Sequence, residues 1–296
     1  MDFGVVFPQS EIGADVDVIR AYAQEVEALG YTHWVIYDHV VGADPVVHHP
    51  WTGIYDIDTE FHEPMVFYGY LAGITNMDLM TSVIVLPQRQ TVLVAKQAAE
   101  LDLLTKGRLR FGIGLGWNHV EYDSLGKNFK NRARRFEEQV TLLRKLWSEK
   151  SVTFEGEWES VTGIGLCPRP VQRPIPLWMG GNSEGAYRRA GRLADGWIPD
   201  NVRPGPDLDR VTAWVKAGCE EAGRDYKSLG MQGRVKLGHD DEIHLTLDDM
   251  LRETDQWIEE GCTHIAMNTM YSGLPNLEAH MEYLTKISDR LGLRSK

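Results

Sequence analysis

Short apolar runs alternate with stretches of helical period along the whole chain. Residues 3–7 form the first apolar run and read as a strand. Asp15 is placed to cap the helix behind it. The apolar positions Val16, Ile19, Ala23, Val26 and Leu29 of that helix share one face, and Gly30 ends it. Residues 34–37 read as a second strand, 64–75 as a helix, and 79–86 as containing a third strand. Thr91 is expected to cap a helix with Val94, Ala98, Leu101 and Leu104 inward. Gly107 stops it, and 109–113 supply a fourth strand. Phe136, Val140, Leu143 and Trp147 mark an amphipathic helix. The runs 175–179, 196–198, 230–237 and 265–267 predict four further strands. Helices are expected from near Asn182, after Pro206 with Val211 and Val215, and through Leu247, Leu251, Thr254 and Ile258. Leu277, Met281, Leu284, Ile287 and Leu291 form the last.

Eight strands alternating with helices favour a closed α/β barrel, the (β/α)8 or TIM barrel, over a doubly wound sheet. The 296 residues would also suit two α/β domains. No Pro/Gly/Ser linker divides them, so one barrel over residues 1–296 is expected. Two segments interrupt the rhythm. Residues 42–63 form a long loop carrying Pro45, His48, His49, Pro50, Trp51, Tyr55 and His62, and loops of that length are usually functional. They are expected to act as a mobile lid, with Trp51 and Tyr55 covering a substrate. Residues 152–173 read as a hairpin insertion.

Charge narrows the partners. A formal net charge of −12 argues against nucleic acid or an anionic membrane, both of which need a basic face. No apolar run approaches the roughly 18 residues needed to cross a bilayer. The opening residues lack the basic region and cleavage site of a signal peptide, so a cytoplasmic protein with a small-molecule substrate is expected. Cys167, Cys219 and Cys262 are far apart and odd in number, which suits reduced thiols. The histidines show no metal-ligand spacing, and no metal is assigned.

Barrel enzymes draw catalytic groups from the C-terminal ends of their strands. That rule selects Asp38 and His39, Ser82 and Val83, residues 112–118, 180–183 and 268–270. Gly180 and Gly181 let backbone N–H groups approach an anion, and Asn182 or Ser183 then opens a helix, a natural phosphate site. A plain strand-to-helix turn is the alternative there. His39 can donate to a substrate or exchange a proton with it, or simply bond the backbone. Glu121 is read as a charge at a helix N-terminus. Arg169, Arg173, Arg188 and Arg189 are the cations considered for an anionic tail. Gly112, Gly114 and Gly116 lack the spacing of a dinucleotide fingerprint, so no Rossmann-type NADPH site is expected.

Several stretches together carry a family resemblance: Ala-Leu-Gly-Tyr-Thr-His-Trp-Val-Ile-Tyr-Asp-His (28–39), the run 99–118 ending Phe-Gly-Ile-Gly-Leu-Gly-Trp-Asn, Arg-Phe-Glu-Glu-Gln-Val (135–140), Met-Gly-Gly-Asn-Ser (179–183), Ala-Gly-Arg-Leu-Ala-Asp-Gly-Trp (190–197) and Thr-His-Ile-Ala-Met-Asn-Thr-Met (263–270). In this order they resemble the bacterial luciferase-like monooxygenase superfamily, and within it the branch that uses the deazaflavin coenzyme F420. Other members use FMN. The resemblance implies an oxidoreductase that moves a hydride between coenzyme F420 and a small organic substrate, in a homodimer. An FMN-dependent monooxygenase and a non-catalytic flavin-binding protein are the alternatives.

It also implies roles for residues. A non-prolyl cis peptide would fall at Ser82–Val83, behind the deazaflavin ring. Gly180, Gly181, Asn182 and Ser183 would hold the coenzyme phosphate. Asp38 would help hold the coenzyme while His39 faces the substrate, and Gly114, Trp117 and Asn118 would line the same site. The sugar-phosphate dehydrogenases of this branch carry a catalytic glutamate where this chain has Trp117. An indole cannot exchange protons as a carboxylate does, which argues against such a sugar phosphate as substrate. Trp117 could stack on a ring or wall the pocket.

Overall fold

The computed structural model describes residues 1–237 and 246–295. Among them, eight parallel strands close into a barrel: β1 (Asp2–Val6), β2 (His33–Ile36), β3 (Asp78–Thr81) continued by β4 (Ile84–Val85), β5 (Leu109–Gly114), β8 (Leu177–Gly181), β9 (Gly196–Pro199), β10 (Gly230–Lys236) and β11 (His264–Asn268). The ring closes because β11 pairs with β1 while β3 and β4 both pair with β5. The expected strands are all present, with ends shifted by a residue or two.

The helices that wrap the ring are α1 (Val16–Ala28), α2 (Pro64–Leu71), α3 (Thr91–Leu104), α4 (His119–Ser124), α5 (Arg132–Ser148), α6 (Glu184–Leu193), α7 (Pro206–Glu221), α8 (Leu247–Glu259) and α9 (Leu277–Leu291). Asp15 caps α1 as expected, accepting from the amides of Asp17 and Val18. Several helices differ in detail from the reading of the sequence: α2 ends at Leu71 and not at residue 75, and Val16 at the start of α1 is exposed. Thr91 opens α3 without capping it, because its hydroxyl instead accepts from Gln139 Nε2 at 2.9 Å. Leu104, in the last turn, is exposed while Thr105 is buried. On α8 the buried stripe is Met250, Glu253, Thr254 and Trp257, so Ile258 faces solvent. The large Trp257 ring turned that helix, overriding the smaller aliphatic positions.

Between β5 and β8 the antiparallel strands β6 (Val152–Glu155) and β7 (Ser160–Ile164) form a hairpin. It docks on α5, where the Glu138 carboxylate accepts the amides of Glu157 and Trp158, each at 2.9 Å. No helix among the described residues is long and apolar enough to cross a membrane.

Inside the barrel, Val6, Val35, Met80, Trp178, Ile198 and Ala266 form a separate apolar layer. Register explains it: Val6 lies beside Val35, and Val35 beside Met80, so side chains of one pleat face meet on the axis. Below this layer Arg110 is buried, bonded to Gln232 at 3.1 Å and lying over the Trp178 ring. Above it Tyr37 and Val83 pack on the layer from the C-terminal side. That end of the barrel is therefore plugged from beneath and open only upward.

Candidate active site

The end of strand 3 is pinned from two sides. The Ser82–Val83 peptide between β3 and β4 is cis, as the resemblance implied. Asp38 at the end of β2 accepts the amide of Val85 at 2.9 Å on one oxygen and Arg89 at 2.7 Å on the other. Arg89 also bonds Glu63 at 2.8 Å, at the foot of the long loop. From behind, Gln139 of α5 donates to the carbonyls of Leu86 and Arg89, and Arg135 donates to those of Pro87 and Arg89. This gives the Arg-Phe-Glu-Glu-Gln-Val motif a physical meaning: it grips the segment that follows β4. Burial raises the Asp38 pKa, and the Arg89 guanidinium and Val85 amide oppose that rise without cancelling it. Both Asp38 oxygens thus hold the segment after β4, the Val85 amide on one and Arg89 on the other.

Glycines at the neighbouring strand ends make room for Val83. A Cβ on Gly114 would stand 2.4 Å from Val83 Cγ2, and one on Gly180 would stand 3.3 Å from Cγ1. Gly114, Gly180 and Val83 therefore meet at one place, and a valine side chain is what fills it. Gly181 has a different job. A Cβ there would lie 2.5 Å from the Cβ of Ala186, so the glycine lets α6 approach β8. Ser183, not Asn182, is the N-cap of α6, accepting from the amide of Ala186. Asn182 is exposed beside it. The first two helical amides, of Glu184 and Gly185, have no intrahelical acceptor, and a Cβ on Gly185 would meet nothing within 4 Å.

The four cations considered for an anionic tail all have partners within the protein. Arg188 pairs with Glu184 and Glu221, and Arg189 with Glu137. Arg169 and Arg173 precede β8, at the barrel end away from the mouth, and bond the carbonyls of Ser148 and Pro170.

His39 lies across the mouth under an aromatic roof. Its ring sits 3.8 Å from that of Tyr55 at a 34° tilt and edge-on to Phe61 at 4.7 Å. Trp117 packs on Tyr55 at 5.4 Å and on Trp51 at 6.0 Å. Tyr55 is buried, and its hydroxyl accepts from Asn118 Nδ2 at 2.7 Å. Asn118 is buried too and caps α4 through Oδ1, so its amide ties the loop aromatics to the start of that helix. Trp117 is exposed and belongs with the loop aromatics as a wall. Between Trp51 and Trp117, with His48, His49 and His119, opens a cleft of about 460 Å³. A volume of that order takes a small organic molecule.

Some residues at the mouth escaped the sequence reading. Arg234 on β10 donates to the Tyr37 hydroxyl at 3.0 Å, to Asn201 at 3.0 Å and to Asp200 at 3.3 Å, and Asn268 donates to Tyr37 at 3.3 Å. The Tyr37 hydroxyl and the Asp200 carboxylate beside it raise the Arg234 pKa despite burial. The signal was available: Tyr37 and Arg234 sit at inward positions of the strand period. Glu121 lies in the first turn of α4, as expected, but its burial was not foreseen. It is 1% exposed, and its Oε2 lies 3.5 Å from His39 Nδ1. The helix-end charge therefore faces the end of β2 and not solvent. Among the described residues, no group of three or more His, Cys, Asp or Glu is placed to hold a metal ion.

Comparison with known proteins agrees with this architecture. Residues 1–252 match the luciferase-like monooxygenase family. An uncharacterized protein of Mycobacterium tuberculosis is 32% identical over 226 residues, covering 74% of this chain and 77% of its own. An F420-dependent glucose-6-phosphate dehydrogenase of Gordonia bronchialis is 31% identical over 162 residues, which span 53% of this chain and 47% of that protein. Among solved structures, the monooxygenase RslO1 of Streptomyces bottropensis superposes with a TM-score of 0.78 at 17% identity, covering 100% of both chains. An F420-dependent secondary alcohol dehydrogenase, in complex with an F420-acetone adduct, superposes at 0.76 and 17% identity, covering 97% of each. At such identities the structural likeness speaks for the fold. The family match extends over most of the chain, and the chain belongs to the luciferase-like monooxygenase family of oxidoreductases.

Proposed function

We propose that the protein transfers a hydride between coenzyme F420 and a small organic substrate such as an alcohol or carbonyl compound. The observation that carries this reading is the meeting of Val83, beside the cis Ser82–Val83 peptide, with Gly114 and Gly180 at the barrel end where His39 follows β2, in a chain whose relatives include F420-dependent dehydrogenases. The residues suit such a coenzyme. Val83 offers an apolar floor on the inner barrel layer. The free amides of Glu184 and Gly185 at the start of α6, reached past Gly181, Asn182 and Ser183, suit its phosphate. When bound, coenzyme F420 supplies or takes up the hydride.

The chain's own part is alignment and proton handling. His39 is placed to hold or take a proton on the substrate oxygen. Tyr55, Phe61 and Trp117 keep water from that atom. The cleft between Trp51 and Trp117 receives the apolar body of the substrate. Trp117, where a sugar-phosphate enzyme would have a carboxylate, directs the choice away from such sugars.

Separate titrations with coenzyme F420 and FMN test the reading. Tighter binding of coenzyme F420 is expected. Tight FMN binding without measurable F420 binding would move the protein to the monooxygenases that use FMN. Failure to bind either would leave no redox role.

Residues 42–63 should behave as a cover and not as part of the core. Their tip exposes Val46, Val47 and Ile54, while Tyr55 and Phe61 lie on His39. Replacing residues 46–50 by a short Gly/Ser link is expected to lower kcat/KM about tenfold or more, while the melting temperature moves by only a few degrees. Unchanged kinetics in the shortened protein would show that the loop has no part in turnover.

A further inference from the structure

Glu121 is the third residue of α4, a place where a carboxylate normally faces water and the positive helix end. Here it is buried and reaches the end of β2. Its Oε1 accepts the amide of Val40 at 2.6 Å and that of Val41 at 3.4 Å. Its Oε2 lies 3.5 Å from His39 Nδ1 and 3.5 Å from Gln88 Nε2. Every neighbour within reach is thus a donor, or a ring nitrogen able to be one. Burial alone would push the Glu121 carboxyl up, yet His39 and the Val40 amide carry its pKa below the usual value. The fold is built around the charged form.

A carboxylate only accepts hydrogen bonds, so it cannot face the lone pair of a bare imidazole nitrogen. We propose that Glu121 is a positioning residue for His39, keeping the proton on Nδ1 and leaving Nε2 as the atom that exchanges a proton with the substrate. The ring cannot easily turn to escape this assignment. Tyr55 lies on one face at 3.8 Å, Phe61 meets it edge-on at 4.7 Å, and Tyr55 is itself held by Asn118. Glu121 also binds the two amides that follow His39, so one carboxylate fixes both the backbone and the ring.

The inference rests on the function proposed above for its chemical consequence, and on the geometry alone for the tautomer. Removal of a hydride from an alcohol carbon would leave a hydroxyl proton to be taken up. Nε2 takes that proton, the O–H bond breaks, and a C=O bond forms. The imidazolium then faces the Glu121 carboxylate, which stabilises the charge. In the opposite direction Nε2 returns the proton to the oxygen of the reduced carbonyl.

The tautomer can be read without any cofactor. Imidazole 15N NMR of the protein, with the His39 signal identified by its loss in His39→Ala, is expected to show Nδ1–H in the neutral ring. In Glu121→Gln the side-chain oxygen can still accept from Val40, while its NH2 group faces Nδ1. The ring should switch to Nε2–H. Turnover should fall about 10–100-fold in Glu121→Gln with little change in substrate KM or coenzyme affinity, and the substitution should cost nothing further in a His39→Ala background. An Nε2–H ring in the unaltered protein would overturn the proposal. So would losses that multiply in the double variant, since these would mark a purely structural role. If the coenzyme were FMN, the titrations above would show it, and the tautomer result would stand or fall by itself.

Discussion

Changing His39 to alanine is expected to lower kcat about 10²–10³-fold while leaving the dissociation constant of coenzyme F420 within about twofold. The magnitude is that of a lost general acid or base whose place water cannot fill well under an aromatic roof. The split between the two constants follows from position. His39 touches Tyr55, Phe61 and Glu121. The elements offered to the coenzyme, Val83 and the start of α6, belong to other strands and loops. Stopped-flow single-turnover rates beside equilibrium titrations would measure both. A variant that lost coenzyme affinity but kept its single-turnover rate at saturation would place His39 on the coenzyme side and end the present assignment. Comparison of melting temperatures guards against a trivial cause, because His39 also fills space beneath Tyr55.

The second large effect is a loss of stability in mild acid. Burial lowers the pKa of four histidines, His33, His62, His264 and His280. Burial, reinforced by Arg110, pushes His264 down to about 3 and drives His33 well below its ordinary value. Burial pushes His280 down to about 4. In the unfolded chain each titrates near 6.5. Below that pH the unfolded state therefore binds protons that the folded state refuses, and stability falls with pH. The contribution is fully present above about pH 6.5 and is lost as the pH drops toward the folded values. Each histidine costs at most about 1.4 kcal/mol per pH unit, less where solvent screens it. Several kcal/mol are therefore at stake between pH 6.5 and 5, against a typical total of about 5–15 kcal/mol. Below about pH 5 the slope should ease. Burial raises the carboxyl groups of Asp38, Asp78 and Glu253, so these take up protons more readily when folded. Denaturant midpoints across this range would give the slope. His280→Asn, which keeps a partner for the Thr269 hydroxyl now 2.8 Å from Nδ1, should flatten it. A flat profile from pH 7 to 5 in the unaltered protein would contradict the neutral assignment.

The chain pattern alone determined the barrel and its strand ends, because parallel strands buried on both faces and helices buried on one leave distinct periods. It therefore placed His39, Ser82, Val83, Gly114 and Gly180 at one mouth before any contact was known. Caps written in a single residue were legible too, as at Asp15. What it could not weigh is competition between distant partners. Asp38 accepts from Arg89 and the Val85 amide, Asn118 donates to Tyr55, and Thr91 accepts from Gln139. Each of those partners lies on another element, so nothing local marks the contact. Glu121 shows the same limit from the other side. A carboxylate in the first turn of a helix satisfies every local rule for a solvated charge. Only the closure of the barrel brings β2 and α4 together, at a sequence separation of 82, and turns that charge onto His39.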